Sequence, residues 1–214
     1  MAASPNVRPN RRGTRSREVV LDAAERLMAE HGYEAATTSA IVKASGIPIS
    51  SLYHYFGSKN GVLVAVMERG AARFFAELPP PRRPTGDPET DLGALIAQVQ
   101  STLQRHPDFL RLLVVLAAQP PAGDAAIVTE VIDRVRGEAL VRLRRQMAVT
   151  FGLRANAKAT DRLARFALAA VDGAFIATQS DRRVDLGRML EDLPTALVAI
   201  HGRLREEPSR VSAR

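Results

Sequence analysis

Nowhere along the chain does the apolar–polar alternation of a strand persist; apolar residues return instead at spacings of three and four, interrupted by glycine and proline. The fold class this dictates is all-α. From Val19 the residues Val20, Ala23, Ala24, Leu27 and Met28 form one stripe, on a helix that should stop near His31-Gly32. Thr37-Thr38 then offers an N-cap, Ile41 and Ala44 face inward, and Ser45-Gly46 breaks the second helix after about two turns. Pro48 suits the first turn of a third helix, where a missing N–H costs nothing, and Gly57-Ser58 ends it while Ser58 caps a fourth. Two short helices joined by Ser45-Gly46-Ile47, with Ile41, Ile47, Leu52 and Phe56 placed to pack together, have the pattern of a helix-turn-helix.

The run Pro79-Pro80-Pro81-Arg82-Arg83-Pro84-Thr85-Gly86-Asp87-Pro88 cannot continue a helix, because its prolines remove backbone donors and fix φ, so it reads as a linker or long loop. Beyond it helices are expected at 91–105, 108–119, 124–150, 158–180 and 185–206, the last kinked near Pro194. The breaks fall at His106-Pro107, Gln119-Pro120-Pro121, Gly152 and Ser180-Asp181. The organisation this suggests is a mobile basic arm at 1–14, a helix-turn-helix domain at 15–60, a larger helical domain at 61–206 and a tail at 207–214. Arg8, Arg11, Arg12, Arg15 and Arg17 precede the first acidic residue, Glu18, a charge run of the kind that follows a phosphate backbone or enters a minor groove.

Composition narrows the chemistry. The absence of cysteine among 214 residues removes disulfides, thiol nucleophiles and Cys-ligated metal sites. Four scattered histidines, with no H-E-x-x-H, G-x-S-x-G, Walker A or G-x-G-x-x-G pattern, assemble no catalytic, metal or cofactor site, so an enzyme is not expected. A net charge of +7 makes a polyanionic partner electrostatically reasonable. No apolar run approaches the ~20 residues of a membrane span and no signal peptide is visible, so a soluble cytoplasmic protein is expected. A helical protein that binds anionic membranes through its arginines is the competing reading.

At about 100° per residue, Leu52 and Phe56 lie within about 40° of each other on the third helix, while Ser50 and His54 fall on the opposite face with Ser51 beside them. Tyr53 and Tyr55 flank that face, whose hydroxyls, imidazole and phenols suit phosphate oxygens and base edges of double-stranded DNA. Ile49 sits near the buried boundary of the same wheel.

The stretch from Val19 to Val66, with Ala23-Ala24-Glu25-Arg26-Leu27, Gly32-Tyr33, Thr37-Thr38, Ile41-Val42, Gly46-Ile47, Leu52-Tyr53-His54-Tyr55-Phe56 and Ser58-Lys59, resembles the DNA-binding domain of TetR-family regulators. The resemblance covers less than a quarter of the chain. It implies phosphate contacts from Thr38, Ser51, Tyr53 and Lys59, and base or sugar contacts from Ser39, Ser50, His54 and Tyr55. Many relatives carry Ser where this chain has Pro48 and Gly or Pro where it has Ser50, so base preference does not transfer.

One short helix discriminates weakly, since each good base contact contributes only about 1–3 kcal/mol. Two copies related by a dyad are therefore expected to read a palindrome as a homodimer. The resemblance implies an interface through Phe166, Ala170, Ala174 and Ala177 on one C-terminal stripe and Met189, Leu193, Leu197 and Ile200 on the next, an ordinary intramolecular core being the alternative reading of both stripes. By the same resemblance the helices between enclose a pocket for a small hydrophobic effector. Its candidate residues are Phe74, Phe75, Phe109, Leu113, Leu116, Met147 and Phe151, with Gln98 and Gln119 as polar anchors. The expected function is a ligand-responsive regulator, a repressor released by its effector; the alternative is a DNA-binding regulator whose C-terminal domain only dimerises.

Overall fold

The computed structural model describes residues 11–78, 80, 84–118 and 125–211, and every regular element among them is an α-helix. The N-terminal helices are α1 (Arg11–His31), α2 (Thr38–Ser45), α3 (Ile49–Phe56) and α4 (Lys59–Glu77). Six follow: α5 (Pro88–Arg105), α6 (Pro107–Ala118), α7 (Ala125–Phe151), α8 (Lys158–Ser180), α9 (Leu186–Leu190) and α10 (Leu193–Val211). None of the described helices is long and apolar enough to cross a membrane. The break expected at Gln119-Pro120-Pro121 and four residues of the proline run (Pro79, Pro81, Arg82 and Arg83) lie outside the described residues.

Local chemistry accounts for most boundaries. Thr37 caps α2, its Oγ1 accepting from Ala40 N at 3.1 Å, and Gly46 ends that helix at φ 67°, a left-handed conformation that costs glycine nothing. Ser58 Oγ accepts from Gly61 N at 3.1 Å at the head of α4. Asp87 caps α5 through Glu89 N at 3.3 Å and Thr90 N at 3.2 Å, so that helix starts with Pro88, three residues before its expected beginning.

Three expected boundaries are corrected. The α1 helix begins at Arg11, so residues 11–14 are helical rather than part of an arm; Arg17 belongs to the same helix and lies 5.2 Å over the Phe56 ring. The single kinked helix expected at 185–206 is two helices. Asp185 caps α9 through Arg188 N at 2.9 Å, and Pro194 opens α10, where its missing donor is not needed, instead of kinking a helix interior. The backbone of 207–211 continues α10 beyond the expected tail boundary, a stretch with no apolar stripe to mark it.

Two compact units are present, and the first boundary falls at 70/71, within α4 (Lys59–Glu77), rather than at 60/61. The first unit holds the chain through Gly70 together with Asp108–Ile132. Here α1 packs on α2 and α3 around the fully buried Val20, Leu21, Ala24, Ile41 and Leu52. The Phe109 ring lies against Gly70, where any Cβ would overlap it, and this close approach brings α6 into the first unit.

Arg69 of α4 binds α1 in the same unit: its guanidinium donates to Asp22 at 2.7 Å, Glu18 at 3.0 Å and Glu25 at 2.6 Å. Burial lowers its pKa, but the hydrogen bonds to Glu18 and Glu25 and the charges of Glu25 and Asp22 outweigh burial and raise it above the ordinary arginine value.

The second unit contains Ala71–Pro107 and Asp133–Arg214. In it α10 packs on α5 and α8, and α9 on α8 and α5. Arg136 of α7 pairs with Asp172 of α8 at 2.5 Å, and Arg144 Nε donates to Asp161 Oδ1 at 2.8 Å. The hydrogen bonds from Arg144 and then Arg165 hold the Asp161 carboxyl below the usual range.

Candidate nucleic-acid interface and ligand cavity

The α2–α3 turn is built by its own short-range bonds. Ser45 Oγ accepts from Ile47 N at 3.3 Å, and the Pro48 carbonyl accepts from Ser51 N at 3.0 Å and Leu52 N at 3.2 Å, starting α3 without a side-chain cap. Leu52 is wholly buried and anchors one side of α3. Ser50, Tyr53 and His54 are exposed, as is Ser39 on α2, whereas Thr38, Ser51 and Tyr55 are half-buried. The rings of His54 and Tyr55 meet edge-on at 5.4 Å, and Tyr55 meets Phe56 at 6.2 Å, so Tyr55 joins the exposed face to the packed one.

Ile49 departs from the wheel. It is 46% exposed, although only about 60° from Leu52, because angle about an axis does not tell whether another element reaches that end of the helix. It stands in the same turn as Ser50 and adds an apolar group of the kind that meets a thymine methyl.

Lys59 lies differently from a solvated lysine. Its Nζ donates to the Glu34 carbonyl at 3.1 Å, lies 3.9 Å from the Glu34 carboxylate and sits 4.1 Å over the Tyr33 ring. The Tyr33 hydroxyl also donates to Asn60. The head of α4 is thereby tied to the turn between α1 and α2, and the phosphate-facing position implied for Lys59 is already engaged by protein. Gly61 completes the junction, since a Cβ there would overlap the Phe56 carbonyl oxygen.

In the second unit a cavity of about 160 Å³ lies among the end of α4, α5, α7 and α8. Phe74, Phe75, Leu95, Val99, Leu143, Leu168 and Val171 form its apolar wall, with Arg142, Arg145 and Gln146 on α7. An adjoining cavity of about 130 Å³ shares Pro80, Leu95 and Gln146 and includes Gln98, Asp91 and Thr150. Phe74 also meets His106 edge-on at 6.0 Å, and His106 Nε2 lies 2.9 Å from Glu77 at the end of α4.

Of the candidate effector residues, Phe74, Phe75 and Gln98 line these cavities. The assignments of Phe109, Leu113, Leu116, Met147 and Phe151 are corrected. Phe109 is buried against Gly70, and Leu113 and Leu116 are buried in the first unit. Met147 is buried without lining either cavity, Phe151 stacks on His201 at 4.4 Å, and Gln119 lies outside the described residues. An apolar stripe marks an inward face but does not separate core from cavity wall. Arg142, Arg145 and Gln146 were missed; the available signal was the three-residue spacing of Arg142 from Ala139, of Gln146 from Leu143 and of Arg145 from Arg142, Ala139 and Leu143 also lining the cavity.

The candidate interface residues divide in the same way. Phe166 and Met189 are exposed, and Ala170, Ala177 and Ile200 are half-buried. Ala174, Leu193 and Leu197 are buried within their own chain, because α10 spends part of its stripe on α8 and α5, which corrects their assignment to a second subunit. The uncovered side of α8 carries Phe166, Ala169, Gly173 and Ile176.

Residues 20–66 match the profile of the bacterial regulatory proteins of the tetR family. The chain is 40% identical over 60 residues to the HTH-type transcriptional repressor AcnR of Corynebacterium glutamicum, covering 28% of this chain and 32% of that one. It is 26% identical over 127 residues to the HTH-type transcriptional repressor KstR of Mycolicibacterium smegmatis, covering 58% and 62%. The chain thus spans about a third of the first of these relatives and under two thirds of the second. SmeT, the repressor of the multidrug efflux pump SmeDEF of Stenotrophomonas maltophilia, superposes with a TM-score of 0.65 at 25% identity over 86% of this chain and 88% of that one. The helix-turn-helix geometry and the matched segment identify residues 20–66 as similar to the DNA-binding domain of TetR-family regulators, and the likeness in fold to SmeT extends through the C-terminal helices.

Proposed function

We propose that the chain is a cytoplasmic transcriptional repressor that binds palindromic operator DNA as a homodimer and releases it when a small ligand occupies the second unit. The observation that carries the DNA-binding half is the split of α3. Leu52 is sealed inside, whereas Ser50, Tyr53 and His54, with Ile49 beside them, lie open on a helix stiffened by the Pro48 and Gly57 turns. Hydroxyls and phenols position a helix on phosphates, and Ser50, His54 and Ile49 carry the groups that distinguish base edges.

The uncovered apolar side of α8 supports dimerisation through a matching face of a second copy. Ligand response follows from the continuity of α4, which begins at Lys59 beside the recognition helix and ends with Phe74 and Phe75 at the cavity wall. A ligand that binds one position of this helix better than another shifts the balance by its differential affinity, typically about 1–3 kcal/mol.

Selection from random duplexes, followed by anisotropy titration of the recovered fragment, tests the reading. Half-sites about one DNA turn (~34 Å) apart or somewhat more are expected. Ser50→Ala and His54→Ala should change which bases are preferred, and Tyr53→Phe should weaken all duplexes alike. Recovery of no common half-site, or displacement by anionic vesicles and not by palindromic DNA, refutes it.

A further inference from the structure

We infer that the ligand of the α4–α5–α7–α8 cavity is an anion with a benzene-sized apolar body, such as an aryl-substituted carboxylate, whose charge is met by Arg145 and Arg142. The inference rests on the reading of the second unit as a ligand-binding one and adds the chemical class of the ligand. The size comes from the cavity: about 160 Å³ is close to the ~150 Å³ of an apolar protein cavity that takes up benzene. Phe75, Leu95, Val99, Leu168 and Val171 offer such a body no hydrogen-bonding group, so the recognised polar group must lie at the α7 side.

That side is cationic. The cavity wall contains Arg142 and Arg145 and no carboxylate. The two arginines differ in what they already bind. Arg142 donates to Glu138 at 2.7 Å and lies 4.9 Å over the Phe75 ring, so its plane is fixed against the wall of the cavity. Arg145, one turn further along α7, has no acidic partner among the described residues, and no hydrogen bond to its guanidinium is found there. Gln146, which lines both cavities, donates to Thr150 Oγ1 at 3.0 Å, so one of its amide protons is already engaged by protein. A fork of planar donors beside an apolar body is the arrangement that takes a carboxylate in preference to an amide or an ammonium.

The test is calorimetric titration of the full-length protein with 3-phenylpropanoate, 3-phenylpropanamide and 3-phenylpropylamine at pH 7.5. The carboxylate should bind about tenfold more tightly than the amide, with the ammonium weakest. Arg145→Gln, an exposed substitution, should remove most of that preference while leaving amide binding unchanged; Ala139→Leu, which fills the cavity, should weaken all three probes. Equal affinity for carboxylate and amide, a preference that survives both Arg145→Gln and Arg142→Gln, or no binding of any probe overturns the inference. Tight, arginine-dependent carboxylate binding without any change in operator affinity supports it and refutes the ligand-released repressor instead.

Discussion

Arg69 supplies the sharpest test of how the first unit is held together. Its side chain is only 9% exposed and faces three carboxylates of very different accessibility: Glu25 at 18%, Glu18 at 40% and Asp22 at 66%. Distance alone ranks Glu25 and Asp22 together, at 2.6 and 2.7 Å. Solvent separates them. An ion pair in which one partner is mostly in water contributes about 0–1 kcal/mol, whereas a charge-assisted bond in a shielded site contributes about 1.5–3 kcal/mol. Arg69→Met should therefore cost about 2–3 kcal/mol, since it strands the shielded Glu25 charge but also removes a buried Nε that has no partner among the described residues. Glu25→Gln should cost about 1–2 kcal/mol and Asp22→Asn less than about 0.5 kcal/mol.

Urea unfolding of the full chain, with a double-mutant cycle for each carboxylate against Arg69→Met, gives the coupling energies directly. The cycle with Glu25 should return the largest coupling. An Asp22 coupling as large as that of Glu25, or Arg69→Met within about 0.5 kcal/mol of the parent, refutes the argument that burial rather than distance sets the strength of this cluster.

Gly61→Ala should weaken operator binding across all sequences and lower the thermal midpoint, because the added methyl collides with the Phe56 carbonyl and forces the α3–α4 turn apart; unchanged binding with unchanged melting contradicts this. Lys59→Ala should cost about 1 kcal/mol in chemical denaturation through loss of the Tyr33 and Glu34 contacts, and should loosen operator binding without altering site preference. Glu77 is held below the ordinary carboxylate range by its hydrogen bonds from Arg105 and then His106. Its contribution is therefore complete above about pH 4.5 and lost as pH falls through the lower folded value, so Glu77→Gln should lose less stability than the parent between about pH 5 and 3 in urea midpoints measured across that range.

The legible parts of the chain were those set by neighbours a few residues away. The all-α class, the Thr37 and Ser58 caps, the glycine stop at Gly46 and the inward Leu52 opposite Ser50 and His54 depend on hydrogen bonds and angles within one or two turns, and the sequence carries these completely. The splitting of α9 from α10 was nearly legible, since Pro194 marks the place, but whether a proline kinks a helix or begins one depends on the turn before it.

Tertiary structure decided which apolar stripe became core, cavity wall or open face. Phe75 and Phe109 are the same residue type at helical spacing, yet one lines a cavity and the other fills the space above Gly70. Leu197 and Phe166 likewise belong to similar stripes, and only the packing of α10 on α8 and α5 buries the first and leaves the second uncovered. Periodicity fixes the direction of a side chain about its own axis; what stands in that direction is set by residues on other helices, and no local pattern encodes it.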